Sequence, residues 1–133
     1  RIEFKCSLDK IQIVAGHEAL TTIIHNLVSN AVKFSPEGGT VAISLTHDAK
    51  QARLDVQDEG PGVALPDANR IFEPFYRSAV SRQVAGIGLG LAIAREFVLA
   101  HRGELLLVPS LKGAHFRVHL PLQATYLTVQ ENV

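Results

Sequence analysis

No methionine and no tryptophan occur in these 133 residues, and cysteine appears once, as Cys6. A single thiol excludes a disulfide framework and a cysteine-built metal site. Cys6 reads as a small buried hydrophobe in a reducing compartment. Without methionine the chain cannot supply its own initiator, so the expectation is a piece cut from a longer protein. No apolar run reaches the roughly 18 residues a membrane-spanning helix needs, and nothing resembles a secretory leader. Neither charge is in excess: Lys+Arg and Asp+Glu are both 13, a net charge of zero with His neutral. That balance argues against a protein whose main business is gripping nucleic acid or an anionic membrane. What is present is 47% apolar and 20% charged, an ordinary globular composition. The length suits one domain that buries roughly two thirds of its unfolded surface.

Period-two alternation over residues 1–7 (Ile2, Phe4, Cys6) predicts a strand, and residues 11–15 predict a second short one. From Gly16 to Phe34 the apolar positions Leu20, Ile23, Ile24, Leu27, Val28, Ala31 and Phe34 recur at the spacing of one buried helix face. Ser35-Pro36-Glu37-Gly38-Gly39 ends that helix. Residues 40–47 and 51–57 predict a hairpin turning at 48–50. Residues 58–66 form a glycine- and proline-rich loop, 67–75 one or two short helical turns, and 76–85 a polar stretch without a period, read as a mobile loop. A helix follows over 88–101, stopped by Gly103. Residues 105–108 and 115–120 read as a closing strand pair, with a loosely ordered tail after Pro121. Strands and helices without a βαβ rhythm define an α+β class: a two-layer α/β sandwich, one mixed sheet with helices on one face.

Four stretches carry chemistry. On the first helix, Asn26, Asn30 and Lys33 fall within roughly 60° of one another along one border of the apolar stripe. Asn is a poor residue for a helix interior, because its side chain competes for backbone hydrogen bonds. Two of them are satisfied either by nearby backbone or by a ligand. An amide oxygen suits Mg²⁺, which keeps waters and substrate phosphates beside one or two protein oxygens. Lys33 would meet a phosphate as a point charge. The second stretch is Asp58-Glu59-Gly60-Pro61-Gly62, after an apolar strand. It is either a turn closed by an Asx bond or a carboxylate that accepts from a ligand amino group such as the exocyclic amine of adenine. The third is Gly86-Ile87-Gly88-Leu89-Gly90-Leu91, which runs into a helix. Glycines there let backbone N–H groups approach an anion at a helix N-terminus. No Gly-Lys-Ser/Thr follows and no βαβ unit surrounds it, so it is neither a Walker loop nor a dinucleotide fingerprint. The fourth, Ile71-Phe72-Glu73-Pro74-Phe75-Tyr76-Arg77, is either a small satellite core or a hinged lid, with Phe72 and Phe75 as anchors and Arg77 or Arg82 reaching phosphate.

The order of these stretches resembles the catalytic, ATP-binding domain of bacterial two-component sensor histidine kinases, within the GHKL superfamily. NLVSNAVKF (26–34) is similar to the family's N box, DEGPG (58–62) to its first glycine box, IFEPFYR (71–77) to its F box and GIGLGL (86–91) to its second. GAHFRVHLP (113–121) stands in the place of its final strand motif, and the resemblance covers residues 1–122, leaving 123–133 as a tail.

The resemblance implies the Bergerat fold and a set of roles. Asn30 would coordinate Mg²⁺, with Asn26 one turn before it, and Lys33 would contact phosphate. These three are the candidate catalytic residues. Phe34 would pack near the base, Asp58 would accept the adenine N6 hydrogen, and Gly60 and Gly62 would shape the pocket. Phe72 and Phe75 would anchor the ATP lid. Gly86, Gly88 and Gly90 would hold the triphosphate and hinge the lid, and Leu91, closing that motif, joins Arg77 and Arg82 as a candidate nucleotide contact. Hydrolysing branches of the superfamily place a glutamate at position 26 as general base. Asn26 cannot take a proton, which fits transfer to a protein histidine. The implied partners are ATP·Mg²⁺, the phosphoacceptor histidine domain of the same parent and, downstream, a response regulator. The implied location is cytoplasmic, with a parent in the inner membrane as one arrangement, and the chain alone is expected to be a monomer.

Departures from the pattern are Ala85 for a further glycine, Ile87 for a hydroxyl residue, and Ala114 and His115 for the hydroxyl residues of the last strand. They motivate one alternative, a degenerate module with a regulatory nucleotide-binding or interaction role. Another is a serine kinase of the anti-sigma-factor type. His17-Glu18-Ala19-Leu20-Thr21 mimics a phosphoacceptor motif but opens the N-box helix, so it is set aside. His25, His47, His101, His115 and His119 read as ordinary surface or strand-face residues.

Overall fold

Alternation in the strands and a 3.6-residue period in the helices divide the described chain into eight elements. They are β1 (Ile2–Cys6), α1 (His17–Phe34), β2 (Val41–His47), β3 (Gln51–Gln57), α2 (Leu65–Ala68), α3 (Gly90–Ala100), β4 (Glu104–Val108) and β5 (His115–Pro121). The structure is a computed structural model that describes residues 1–6, 17–78 and 88–122. The strand expected at 11–15, the loop residues 79–87 and the tail 123–133 lie outside the described residues.

The five strands make one sheet in the order β1-β2-β3-β5-β4. β1 runs parallel to β2, with Ile2 opposite Val41, and the other three pairings are antiparallel. The sheet is therefore mixed, as expected. On β5 the period of two sends Phe116, Val118 and Leu120 into the core and His115, Arg117 and His119 to the other face. α1 and α3 pack on each other and on the sheet. Ile23 and Leu27 of α1, Val98 of α3, Val56 of β3 and Val118 of β5 are fully enclosed. Truncating a Leu such as Leu27 in a core of this kind costs about 2–5 kcal/mol.

The short helix α2 begins two residues before the expected start of 67, with Pro66 in its first turn, where a missing N–H costs no hydrogen bond. α3 begins at Gly90 rather than 88, because Gly88 stands at φ +78°, outside helical space. No helix among the described residues is long and apolar enough to cross a membrane.

Candidate functional site

The C-terminal half of α1, the loop after β3, residues 71–78 and the start of α3 enclose a cavity of about 440 Å³, within the range of roughly 300–1,000 Å³ that small-molecule sites occupy. Asn26, Asn30, Lys33 and Phe34 of α1, Asp58 and Gly62 of the loop after β3, and Arg77, Gly88, Gly90 and Leu91 line it. The structure thus brings ten of the expected residues to one cavity. Gly60, Phe72 and Phe75 are not among its lining residues, and Arg82 and Gly86 fall outside the described residues.

Each wall has a local cause. The Asn26 side-chain amide donates to the carbonyl of Thr22 at 2.9 Å, one turn back, which leaves its oxygen for the cavity side. A Cβ on Gly90 would stand 3.3 Å from that oxygen, a tight contact, so the glycine leaves room for Asn26 where α3 meets α1. Asn30 and Lys33 carry no hydrogen bond or ion pair to another described residue. Leu89, at the N-cap of α3, has no side-chain oxygen to satisfy the first-turn N–H groups. Those donors and the positive end of the helix dipole suit an anion.

Asp58 is 2% exposed. Its Oδ1 accepts from the backbone N–H of Gly60 at 2.8 Å and of Ala114 at 3.1 Å. The bond to Gly60 is an Asx turn, so that reading of the segment holds, but it consumes only one oxygen. Oδ2 takes no hydrogen bond from the described residues. A Cβ at Gly60 would overlap the carbonyl oxygen of Phe34, and one at Gly113 (φ +72°) would overlap that of Asp58. Both glycines are therefore required by close backbone approach. Glu59, which is not a cavity residue, straps the loop down: it accepts from the N–H of Thr40 at 2.7 Å and pairs with Lys112 at 3.0 Å. Lys112 beside it holds the Glu59 carboxyl below the usual carboxylate range.

The F-box aromatics divide. Phe72 packs edge-on against Phe116, ring centroids 6.1 Å apart, with the Arg95 guanidinium over the Phe72 ring, 5.7 Å from its centroid. Phe75 is 67% exposed. It stands at φ +65°, and its backbone N–H donates to the carbonyl of Gly88 at 2.9 Å. The tie between the two segments is thus made by main chain.

Several lining residues were not anticipated: His25, Ser29, Val63, Ile71, Tyr76, Ala114 and Phe116. Tyr76 donates its hydroxyl to Asp67, which raises its pKa above the ordinary phenol value, and Arg70 stacks 4.5 Å from its ring centroid. The β5 alternation signals Ala114 and Phe116 on the helix side. Tyr76 lies within the 71–77 stretch singled out from the sequence, where it carries no role of its own. His115 is not an ordinary strand-face residue either: its Nε2 lies 2.7 Å from Asp55.

An α/β sandwich with a largely apolar cavity between its helices and its sheet end, edged by a few polar groups and an anion-suited helix start, is the class that these observations define. A family model described as histidine kinase-, DNA gyrase B-, and HSP90-like ATPase matches residues 16–124, so the chain belongs to that family. A signal transduction histidine-protein kinase/phosphatase MprB from Mycobacterium sp. (strain KMS) is 39% identical over 126 residues, 90% of this chain and 24% of that protein. The chain spans about a quarter of the length of the curated relatives it matches. Among solved structures, the mycobacterial sensor histidine kinase MprB superposes with a TM-score of 0.82 at 35% identity, covering 91% of this chain and 84% of that one. Full-length ShkA in complex with AMPPNP gives 0.78 at 34% identity, over 91% of this chain and 25% of that one. The mixed sheet with helices on one face is the fold of histidine kinase catalytic domains, and the family is one of ATP-binding domains.

Proposed function

We propose that this chain is the catalytic domain of a two-component sensor kinase, which binds ATP with Mg²⁺ and presents the γ-phosphate to a histidine on a separate phosphoacceptor domain of its parent. The observation that carries the reading is Asp58: a buried carboxylate with one oxygen fixed by two backbone N–H groups and the other left for a ligand donor. An ionised carboxylate only accepts, so it selects the 6-amino group of adenine and rejects the 6-keto group of guanine.

The remaining residues fit the phosphates. Asn30 offers an amide oxygen, and Lys33 a cation, along the α1 wall of the same cavity. Among the described residues no group of three or more His, Cys, Asp or Glu could hold a metal. A divalent ion here would rest on Asn30 with water and nucleotide oxygens, a set that suits Mg²⁺. When bound, Mg²⁺ neutralises charge developing on the phosphates. The uncapped start of α3 and the lining residue Arg77 add donors for the same anion. Asn26 holds its place by bonding Thr22 and carries no basic atom, so it positions groups without activating water. In this reading catalysis is positioning and charge neutralisation, with the protonatable group supplied by the acceptor histidine.

Isothermal titration with ATP, with and without Mg²⁺ and with GTP as control, tests the pocket. Binding of ATP but not GTP is expected, and addition of a phosphoacceptor domain should then give phosphohistidine. A folded protein that binds no nucleotide would overturn the reading in favour of a degenerate regulatory module. The parent's attachment to a membrane, its response regulator and the monomeric state of this chain are part of the same proposal.

A further inference from the structure

The sheet face turned away from α1 and α3 carries a charge cluster that lines no part of the cavity. Its centre is Asp55, in the middle of β3, with a side chain only 11% exposed. Oδ1 of Asp55 accepts from Nε of Arg117, its direct partner on β5, at 2.8 Å. The same oxygen lies 2.7 Å from Nε2 of His115, two residues earlier on β5. Arg53 Nε approaches Oδ2 at 3.3 Å. The bonds from Arg117 and His115 outweigh the cost of burying Asp55 and hold its carboxyl below the usual value. An ionised carboxylate only accepts, so Nε2 of His115 is the donor between them. A carboxylate buried to this degree is costly unless paired. Open strand positions elsewhere on this face, such as Ala42 of β2, need no such arrangement.

The position of the cluster along the strands gives it a task. Three residues after Asp55 the chain reaches Asp58, and one residue before His115 it leaves Ala114. Asp58 donates its backbone N–H to the Ala114 carbonyl at 3.0 Å, and Ala114 donates back to Oδ1 of Asp58 at 3.1 Å. The contact between His115 and Asp55 is the last side-chain tie across β3 and β5 before the cavity. It crosses the ladder diagonally, so it fixes the first residue of β5 along the strand direction as well as across it. Arg117 alone would hold the strands together two residues further from the site.

We propose that His115 is a positioning residue for adenine recognition: through Asp55 it holds the start of β5 so that the Ala114 N–H stays on Oδ1 of Asp58 and Oδ2 remains free for the base. This inference rests on the reading of Asp58 as the adenine acceptor.

The test compares ATP with inosine triphosphate, which has a keto oxygen in place of the 6-amine, by calorimetry, and follows the Ala114 amide proton by NMR in the nucleotide-free chain. In His115→Ala the preference for ATP should fall roughly fivefold, the effect of one net hydrogen bond. The Ala114 amide proton should also move upfield as it leaves the carboxylate. His115→Gln, which keeps a donor at the reach of Nε2, should restore both. If His115→Ala does not fold, His115→Asn, too short to reach Asp55, replaces it with the same two readings. A folded variant that is merely less stable, with the nucleotide preference and the Ala114 resonance unchanged, overturns the proposal. Asp58→Asn separates the two levels. If it leaves the preference for ATP intact, the adenine reading falls and the inference with it. If it abolishes the preference while His115→Ala does not alter it, the inference alone falls.

Discussion

Ala114 and Asp58 exchange two hydrogen bonds, one between backbones at 3.0 Å and one from the Ala114 N–H to the Asp58 carboxylate at 3.1 Å. The carboxylate is therefore placed by the sheet itself, one step past the end of the β3–β5 ladder. Asp58→Asn keeps an oxygen for the Gly60 and Ala114 N–H groups, so the fold should survive. Losing the charged acceptor should weaken ATP binding by about 1.5–3 kcal/mol. Calorimetry against ATP checks this, and unchanged affinity would remove Asp58 from base recognition.

Asn30→Ala removes an amide oxygen from the cavity wall without disturbing any hydrogen bond to the described residues. The melting temperature should stay near that of the parent chain, while the gain in ATP affinity on adding Mg²⁺ disappears. If titration with and without the ion still shows that gain, the metal sits elsewhere.

Asp55 predicts an acid limb of stability. Burial raises its pKa, but the bonds from Arg117 and His115 outweigh burial and leave it below the usual value. A depressed native pKa means that the unfolded chain binds the proton more readily. The stabilisation is complete above the unfolded carboxylate pKa of about 3.9 and is lost as pH falls through the lower, native value. Urea denaturation from pH 6 down to 2 should show this loss, and Asp55→Asn should flatten that limb while lowering stability at pH 6.

Gly60→Ala places a methyl group on the Phe34 carbonyl oxygen, a clash of backbone with side chain that no rotamer change relieves. The expected cost is about 1–3 kcal/mol, the range for overpacking. It should appear as a lower urea midpoint, together with weaker nucleotide binding, because the same shift moves Asp58.

Most of the architecture follows from local pattern. The α1 stripe from Leu20 to Phe34 and the alternation of β2, β3 and β5 are each readable from a few consecutive residues, and so are the loop glycines. The residues of the candidate site were legible for the same reason: Asn26, Asn30 and Lys33 share one helix, and Asp58 stands at one strand end. What escaped depends on residues far apart in sequence. Asp55 and His115 are 60 positions apart, and only the β3–β5 register makes them neighbours. The main-chain tie of Phe75 to Gly88 escaped too, because a positive φ at a residue other than glycine leaves no mark in the sequence.

The cavity draws its walls from positions as far apart as His25 and Phe116. No contiguous half of the domain owns the site, so the nucleotide binds only the fully assembled chain. By mass action, a ligand that binds only the native state at one hundred times its dissociation constant adds about 2.7 kcal/mol to stability. Nucleotide supply thus becomes a folding variable for this domain. Limited proteolysis of the chain should therefore slow as nucleotide is added.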